Sequence, residues 1–97
     1  MVQQDRSPDG IESRRRRLAF RAWRRGTREM DLVLGRFAEA RLKALSERDL
    51  ADLEGLMDVP DQDLFAWVSG AAPAPAAHDS PVLRALIAFH AEGPQPA

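Results

Sequence analysis

Met30-Asp31-Leu32-Val33-Leu34-Gly35-Arg36-Phe37-Ala38-Glu39-Ala40-Arg41-Leu42-Lys43-Ala44-Leu45 is the stretch whose periodicity decides the fold. At about 100° per residue, with Met30 at zero, Val33, Leu34, Phe37, Ala40, Ala44 and Leu45 fall within about 80° of it, the apolar stripe of a core-facing helix. Arg28, Glu39 and Lys43 point the other way, and Glu39 with Lys43 forms an i,i+4 pair of modest value. Gly35 lies on the polar side, where it leaves room for another helix or a partner to come close.

Upstream, residues from about Ile11 to Arg24 read as a short, very basic helix. Leu18, Phe20, Ala22 and Trp23 form its partial apolar face, and Gly26 is placed as the left-handed residue that ends it. Downstream, Ser46 with Asp49 three residues later resembles a capping box and opens a third helix carrying Leu50, Leu53, Leu56 and Met57. Asp58-Val59-Pro60 stops that helix. Pro60 then suits the first position of a fourth, with Asp61 and Asp63 as first-turn acids and Leu64, Phe65, Trp67 and Val68 behind them. Phe65 and Trp67 are expected to anchor that helix to the core, and Gly70 to end it.

The Ala/Pro alternation from Ala71 to Ala77 reads as a semi-stiff linker, with His78 a bystander within it. Ser80-Pro81 repeats the cap-plus-proline start, Val82, Leu83, Leu86, Ile87 and a partly buried His90 mark one face of a last helix, and Gly93-Pro94 closes it. With no alternating strand pattern, the expected fold is all-α, a single small five-helix bundle. Its expected organisation is a flexible tail over 1–10, a helical domain over 11–91 with a linker over 71–79, and a tail over 92–97.

The chain has 97 residues, which suits one domain with one modest core. It has no cysteine, which excludes disulfides, thiol catalysis and cysteine-ligated zinc. His78 and His90 stand apart from any ligand pattern, so no metal site is expected. No apolar run approaches the roughly 20 residues that span a bilayer, and no signal segment is evident, so a cytoplasmic protein without membrane insertion is expected. Net charge is −1, yet eight of the 14 basic residues lie between Arg14 and Arg28 and seven of the 15 acidic ones between Glu47 and Asp63. This segregation points to a charged partner, or to two faces that meet different partners.

Arg24-Arg25-Gly26-Thr27-Arg28-Glu29-Met30-Asp31 reads as a docking site. Glycine holds nothing away, arginine offers a rigid five-donor fork, and Glu29 sits in a first helical turn where the backbone favours negative charge. None of these groups is a nucleophile. The same features also fit a plain helix end and a first-turn acid.

Arg25-Gly26-x-x-Glu29, then Asp31-Leu32 and Gly35-Arg36-Phe37, then Asp61-x-Asp63-Leu64-Phe65-x-Trp67, resemble the SdhE family of succinate dehydrogenase flavinylation factors, over roughly Arg14 to Gly70. The resemblance implies a non-enzymatic assembly factor that binds the flavoprotein subunit of succinate dehydrogenase, and in some bacteria of fumarate reductase, and promotes covalent attachment of FAD to a histidine of that partner. It further implies that Arg25, Gly26 and Glu29 meet the flavoprotein, with Arg28 and Asp31 beside them. FAD then belongs to the partner and this chain, a monomer, binds no cofactor stably. Two readings compete. Members of the same family have been labelled antitoxins to a small membrane protein, and the run Arg14 to Arg17 invites a basic nucleic-acid-binding module. Against the latter stand the acidic middle of the chain and the lack of a recognition helix. An enzyme lacks support in any paired carboxylate, histidine base or phosphate loop.

Overall fold

The computed structural model describes residues 7–93. The outer parts of the two expected tails, residues 1–6 and 94–97, lie outside the described residues. Among those described, five α-helices follow one another with no strand: α1 (Ser7–Ala22), α2 (Arg28–Arg41), α3 (Glu47–Met57), α4 (Asp61–Ser69) and α5 (Pro81–Ala91). Helix α1 begins earlier than expected and takes in residues 7–10. The proline of this Ser-Pro-Asp-Gly stretch, whose fixed φ suits a first turn, belongs to a helix start rather than a tail.

Each remaining helix begins and ends for a local reason. Thr27 caps α2 by accepting a bond from Met30 N, Ser46 caps α3 from Asp49 N at 3.1 Å, and Ser80 caps α5 from Leu83 N at 3.2 Å. Pro60 occupies the N-cap of α4, one position earlier than expected, and Gly70 ends that helix at φ +87°. Helix α2 stops at Arg41, and a single 3-10 turn, Leu42–Ala44, carries the chain on. The linker contains one more 3-10 turn, Ala76–His78, where His78 packs against Trp67 with ring centroids 5.4 Å apart, so it is no bystander.

Helices α2 and α3 pack on α1, and α4 packs on α5. The core gathers Leu18 and Ala22 from α1, Met30, Leu34 and Phe37 from α2, Leu50, Leu53 and Leu56 from α3, Leu64 from α4 and Leu83 and Leu86 from α5. Helix α5 packs on α2, α3 and α4, and the T-shaped pair Phe37–Phe89, centroids 5.6 Å apart, joins it to α2. Ala40 and Ala44 are exposed, because the buried face runs through Met30, Leu34, Ala38 and on to Leu42; Ala40 falls to one side of it within α2, and Ala44 lies in the 3-10 turn. Phe20, expected on the inner face of α1, points outward at 61% exposure. No helix of the described residues is long and apolar enough to cross a membrane.

Gly35 does not face solvent. It is buried under the Trp23 indole, and a Cβ there would lie 2.3 to 2.5 Å from three ring atoms. Trp23, just past α1, thus uses the one gap in the surface of α2 as its seat. In an open helix Gly→Ala stabilises by about 1 kcal/mol, but overpacking costs about 1 to 3 kcal/mol, so the clash should win. Gly35→Ala is therefore expected to lower stability by about 1 kcal/mol in urea unfolding and to shift Trp emission to the red. A more stable variant would show that the indole is not seated on α2.

Candidate functional site

The docking stretch forms the connection from α1 to α2. The chain leaves α1 by two tight turn bonds, Trp23 N to Phe20 O at 3.3 Å and Arg24 N to Arg21 O at 3.1 Å. Arg25 then turns inward. Its Nε donates to Asp61 Oδ1 at 2.7 Å, its Nη2 to Val59 O at 2.7 Å, and its Nη1 to Met57 O. Met57 ends α3 and Val59 lies in the turn to α4, so two carbonyls left without helical partners are met by one fork, while Asp61 at the start of α4 balances its charge. The Arg25 side chain is only 11% exposed.

Arg25, expected to meet a partner, is turned into the fold in the free chain. The α3–α4 turn lies within the guanidinium's reach, and its carbonyls can be satisfied only by a donor from outside α3. Asp31, also expected at the contact, turns inward too, and its Oδ1 accepts from Arg25 N at 2.6 Å. The loop is thereby fastened at both ends of Arg25, by its amide and by its side chain.

Between these fixed points the remaining residues face solvent. Gly26, Thr27, Arg28 and Glu29 are all exposed. Gly26 has φ +103°, a conformation that L side chains adopt only with strain, and a Cβ there would meet nothing within 4 Å. Glycine is thus required by the turn, and any side chain at this position would project into open space. Because α1 already stops at Ala22, Gly26 is the loop's own turning residue rather than the helix cap. Thr27, expected only as an intervening residue, is the cap of α2, and Arg28 and Glu29 are its first two helical residues. The signal was legible: threonine before a run with acids in its first turn is a helix start.

Helix α5 adds a surface that the sequence did not reveal. Beside Glu29, a groove of about 240 Å³ is lined by Leu32, Val33, Arg36, Phe89 and His90. Its floor is apolar and its rim carries Glu29 and Arg36, both exposed. His90 is also held edge-on by Phe65, with centroids 6.1 Å apart.

The arginine run divides in two. Arg14 forms a fork with Glu54, Nε to Oε2 at 3.1 Å and Nη2 to Oε1 at 2.9 Å, and this bonding raises the Arg14 guanidinium above its ordinary value. Arg15 donates to Leu45 O at 3.1 Å and to Glu12. These two tie α1 to α3 and to the 3-10 turn after α2, while Arg16 and Arg17 point away from the protein.

Comparison with known proteins gives this geometry a family. The model of the Sdh5 family, described as flavinator of succinate dehydrogenase, matches residues 16–90. A relative named FAD assembly factor SdhE, from Acetobacter pasteurianus, is 39% identical over 79 residues, which cover 81% of this chain and 72% of that one. Two relatives named succinate dehydrogenase assembly factor 2, mitochondrial, are 38% identical over 71 residues in Mycosarcoma maydis and 36% identical over 80 in Dictyostelium discoideum. The matches cover 73% and 82% of this chain but only 30% and 56% of those longer proteins.

The inward Arg25 and the outward Glu29 should separate in stability. Arg25→Ala would leave two carbonyls and a carboxylate without their donor, and each charge-assisted bond is worth about 1.5 to 3 kcal/mol, so a loss of about 2 to 4 kcal/mol is expected in chemical unfolding. Arg25→Lys should recover little of it, since an ammonium cannot span three acceptors in one plane. Glu29→Ala should stay within about 0.5 kcal/mol of the parent. Equal stability for the Arg25 and Glu29 variants would contradict the assignment.

Proposed function

The chain belongs to the Sdh5 family, the flavinators of succinate dehydrogenase, and from that membership we propose that it is an assembly factor that binds the flavoprotein subunit of that enzyme and promotes covalent attachment of FAD to it. The observation that carries the reading at residue level is the loop from Gly26 to Glu29, exposed yet rigidly mounted on the Arg25 and Asp31 bonds. A surface fixed before binding loses little conformational entropy when a partner meets it.

On this reading the chain is not an enzyme. Both the flavin and the histidine that receives it are the flavoprotein's, so the factor need supply only binding energy. By docking to the arrangement of the flavoprotein in which flavin and histidine stand in contact, it raises the population of that arrangement, and the bond then forms through proximity. Gly26 lets the partner's backbone approach the loop. Glu29 accepts hydrogen bonds from the partner at the rim of the groove that Phe89 floors, and Arg28 adds a donor beside it. Arg25 acts indirectly, by holding the loop in shape.

The chain would bind no cofactor of its own and act as a monomer in the cytoplasm. A nucleic-acid role loses support from the division of the arginine run, since Arg14 and Arg15 are engaged within the fold.

The test is covalent flavin on the flavoprotein subunit, read as in-gel flavin fluorescence in a strain lacking the native factor. Gly26→Arg and Glu29→Ala should each slow its appearance by about tenfold or more, as expected for residues central to an interface. Normal speed with both variants would show that the loop is not the contact.

A further inference from the structure

Helix α1 keeps an outward face that the loop does not account for. Arg16, Arg17 and Phe20 recur at helical spacing along it, Arg24 follows just past its end, and all four are exposed. Phe20 is the most exposed large apolar side chain among the described residues. The Arg24 guanidinium lies over its ring, 4.4 Å from the centroid. Arg16 bonds only to Ser13 Oγ at 3.2 Å, and Arg17 has no ion pair among the described residues. Shallow depressions flank the ring, one bordered by Ser13, Arg16 and Arg17 and the other by Arg24, Pro60 and Asp61.

The composition of this face is informative. Its cations are all arginine, and they surround an aromatic ring, the pairing enriched at the energetic centres of protein interfaces, where lysine is depleted. The contrast with the rest of α1 is sharp: Arg14, Arg15 and Arg21 all have carboxylate partners within the fold, at Glu54, Glu12 and Asp58. Among the described residues, the outward arginines therefore have no carboxylate ion-pair partner.

The complement of such a face is an acidic segment that also carries an apolar or aromatic side chain. The position of the face favours a protein segment over a nucleic-acid backbone. The face ends at Arg24, immediately before the exposed loop, so one partner docked on the loop would reach both.

We propose that Arg16, Arg17, Phe20 and Arg24 form a second docking face, which takes an acidic segment of the flavoprotein subunit with an apolar side chain seated beside Phe20. The proposal rests on the reading of the loop as the flavoprotein contact. The arginines attract the segment before contact and so act mainly on the association rate, whereas Phe20, covered in the complex, acts on the dissociation rate.

The experiment measures association and dissociation of the full chain with the purified flavoprotein subunit across a salt series, with melting temperature as the control for folding. The double variant Arg16→Glu, Arg17→Glu should associate about tenfold or more slowly at low salt and lose most of the salt dependence. Phe20→Ala should dissociate about tenfold faster, and both variants should melt like the parent. Unchanged rates in both variants, with the parent binding normally, would overturn the second face and leave the loop reading intact. A parent that does not bind the flavoprotein at all would instead overturn the loop reading itself. A single-stranded oligonucleotide held at physiological salt by the parent and lost by the double variant, with flavoprotein rates unmoved, would overturn the proposal in favour of nucleic acid.

Discussion

One guanidinium fastens the α1–α2 connection to the α3–α4 turn, and the exposed surface of the molecule is arranged around it. Arg25 meets Met57 O, Val59 O and Asp61 at once, joining residues more than thirty positions apart in sequence. Without it the end of α3 would have unsatisfied carbonyls in a half-buried place, and the loop would be held by Asp31 and the Thr27 cap alone. A planar five-donor group is the side chain that can do this from one position. The loop is thus a rigid part of the bundle, although it is irregular and exposed.

That arrangement divides the Arg-Gly-x-x-Glu motif into two kinds of work. Arg25 and the nearby Asp31 fix the backbone, Gly26 turns it at positive φ, and Glu29 stands on the first turn of α2 with its carboxylate outside. The same division runs through the arginines of α1, where Arg14 and Arg15 face the fold and Arg16 and Arg17 face away. Along α1, residues of one type in one short stretch serve inside and outside according to the helical phase at which each falls. A rigid, pre-shaped surface is what an assembly factor needs if it acts by favouring one arrangement of its partner.

Much of the fold was legible because it rests on local signals. The stripe from Met30 to Phe37, the caps at Ser46 and Ser80 and the glycine stop at Gly70 each follow from residue type and spacing, and the structure has them where they were expected. What escaped depends on contacts between distant segments. No pattern within residues 24–31 indicates that Arg25 finds its acceptors at Met57, Val59 and Asp61, nor that Gly35 is the seat of Trp23. The groove beside Glu29 was hidden for the same reason, since Phe89 and His90 reach it only through the packing of α5 on α2. Phe20 shows the opposite error: an apolar residue was assigned to the core by type, while the phase of α1 turns it outward.

The central claim is that the flavoprotein is met by the α1–α2 loop and the first turn of α2, held ready by internal bonds. Hydrogen–deuterium exchange of the full chain, alone and with the flavoprotein subunit, tests it most directly: Arg24 and Arg25 donate their amides within the fold, whereas the amides from Gly26 to Glu29 should exchange fast in the free protein and slow on binding. Strong new protection over residues 26–29, with little change across α3 and α4, is the expected result. Protection confined to α3 and α4, with the loop exchanging as in the free chain, would contradict it.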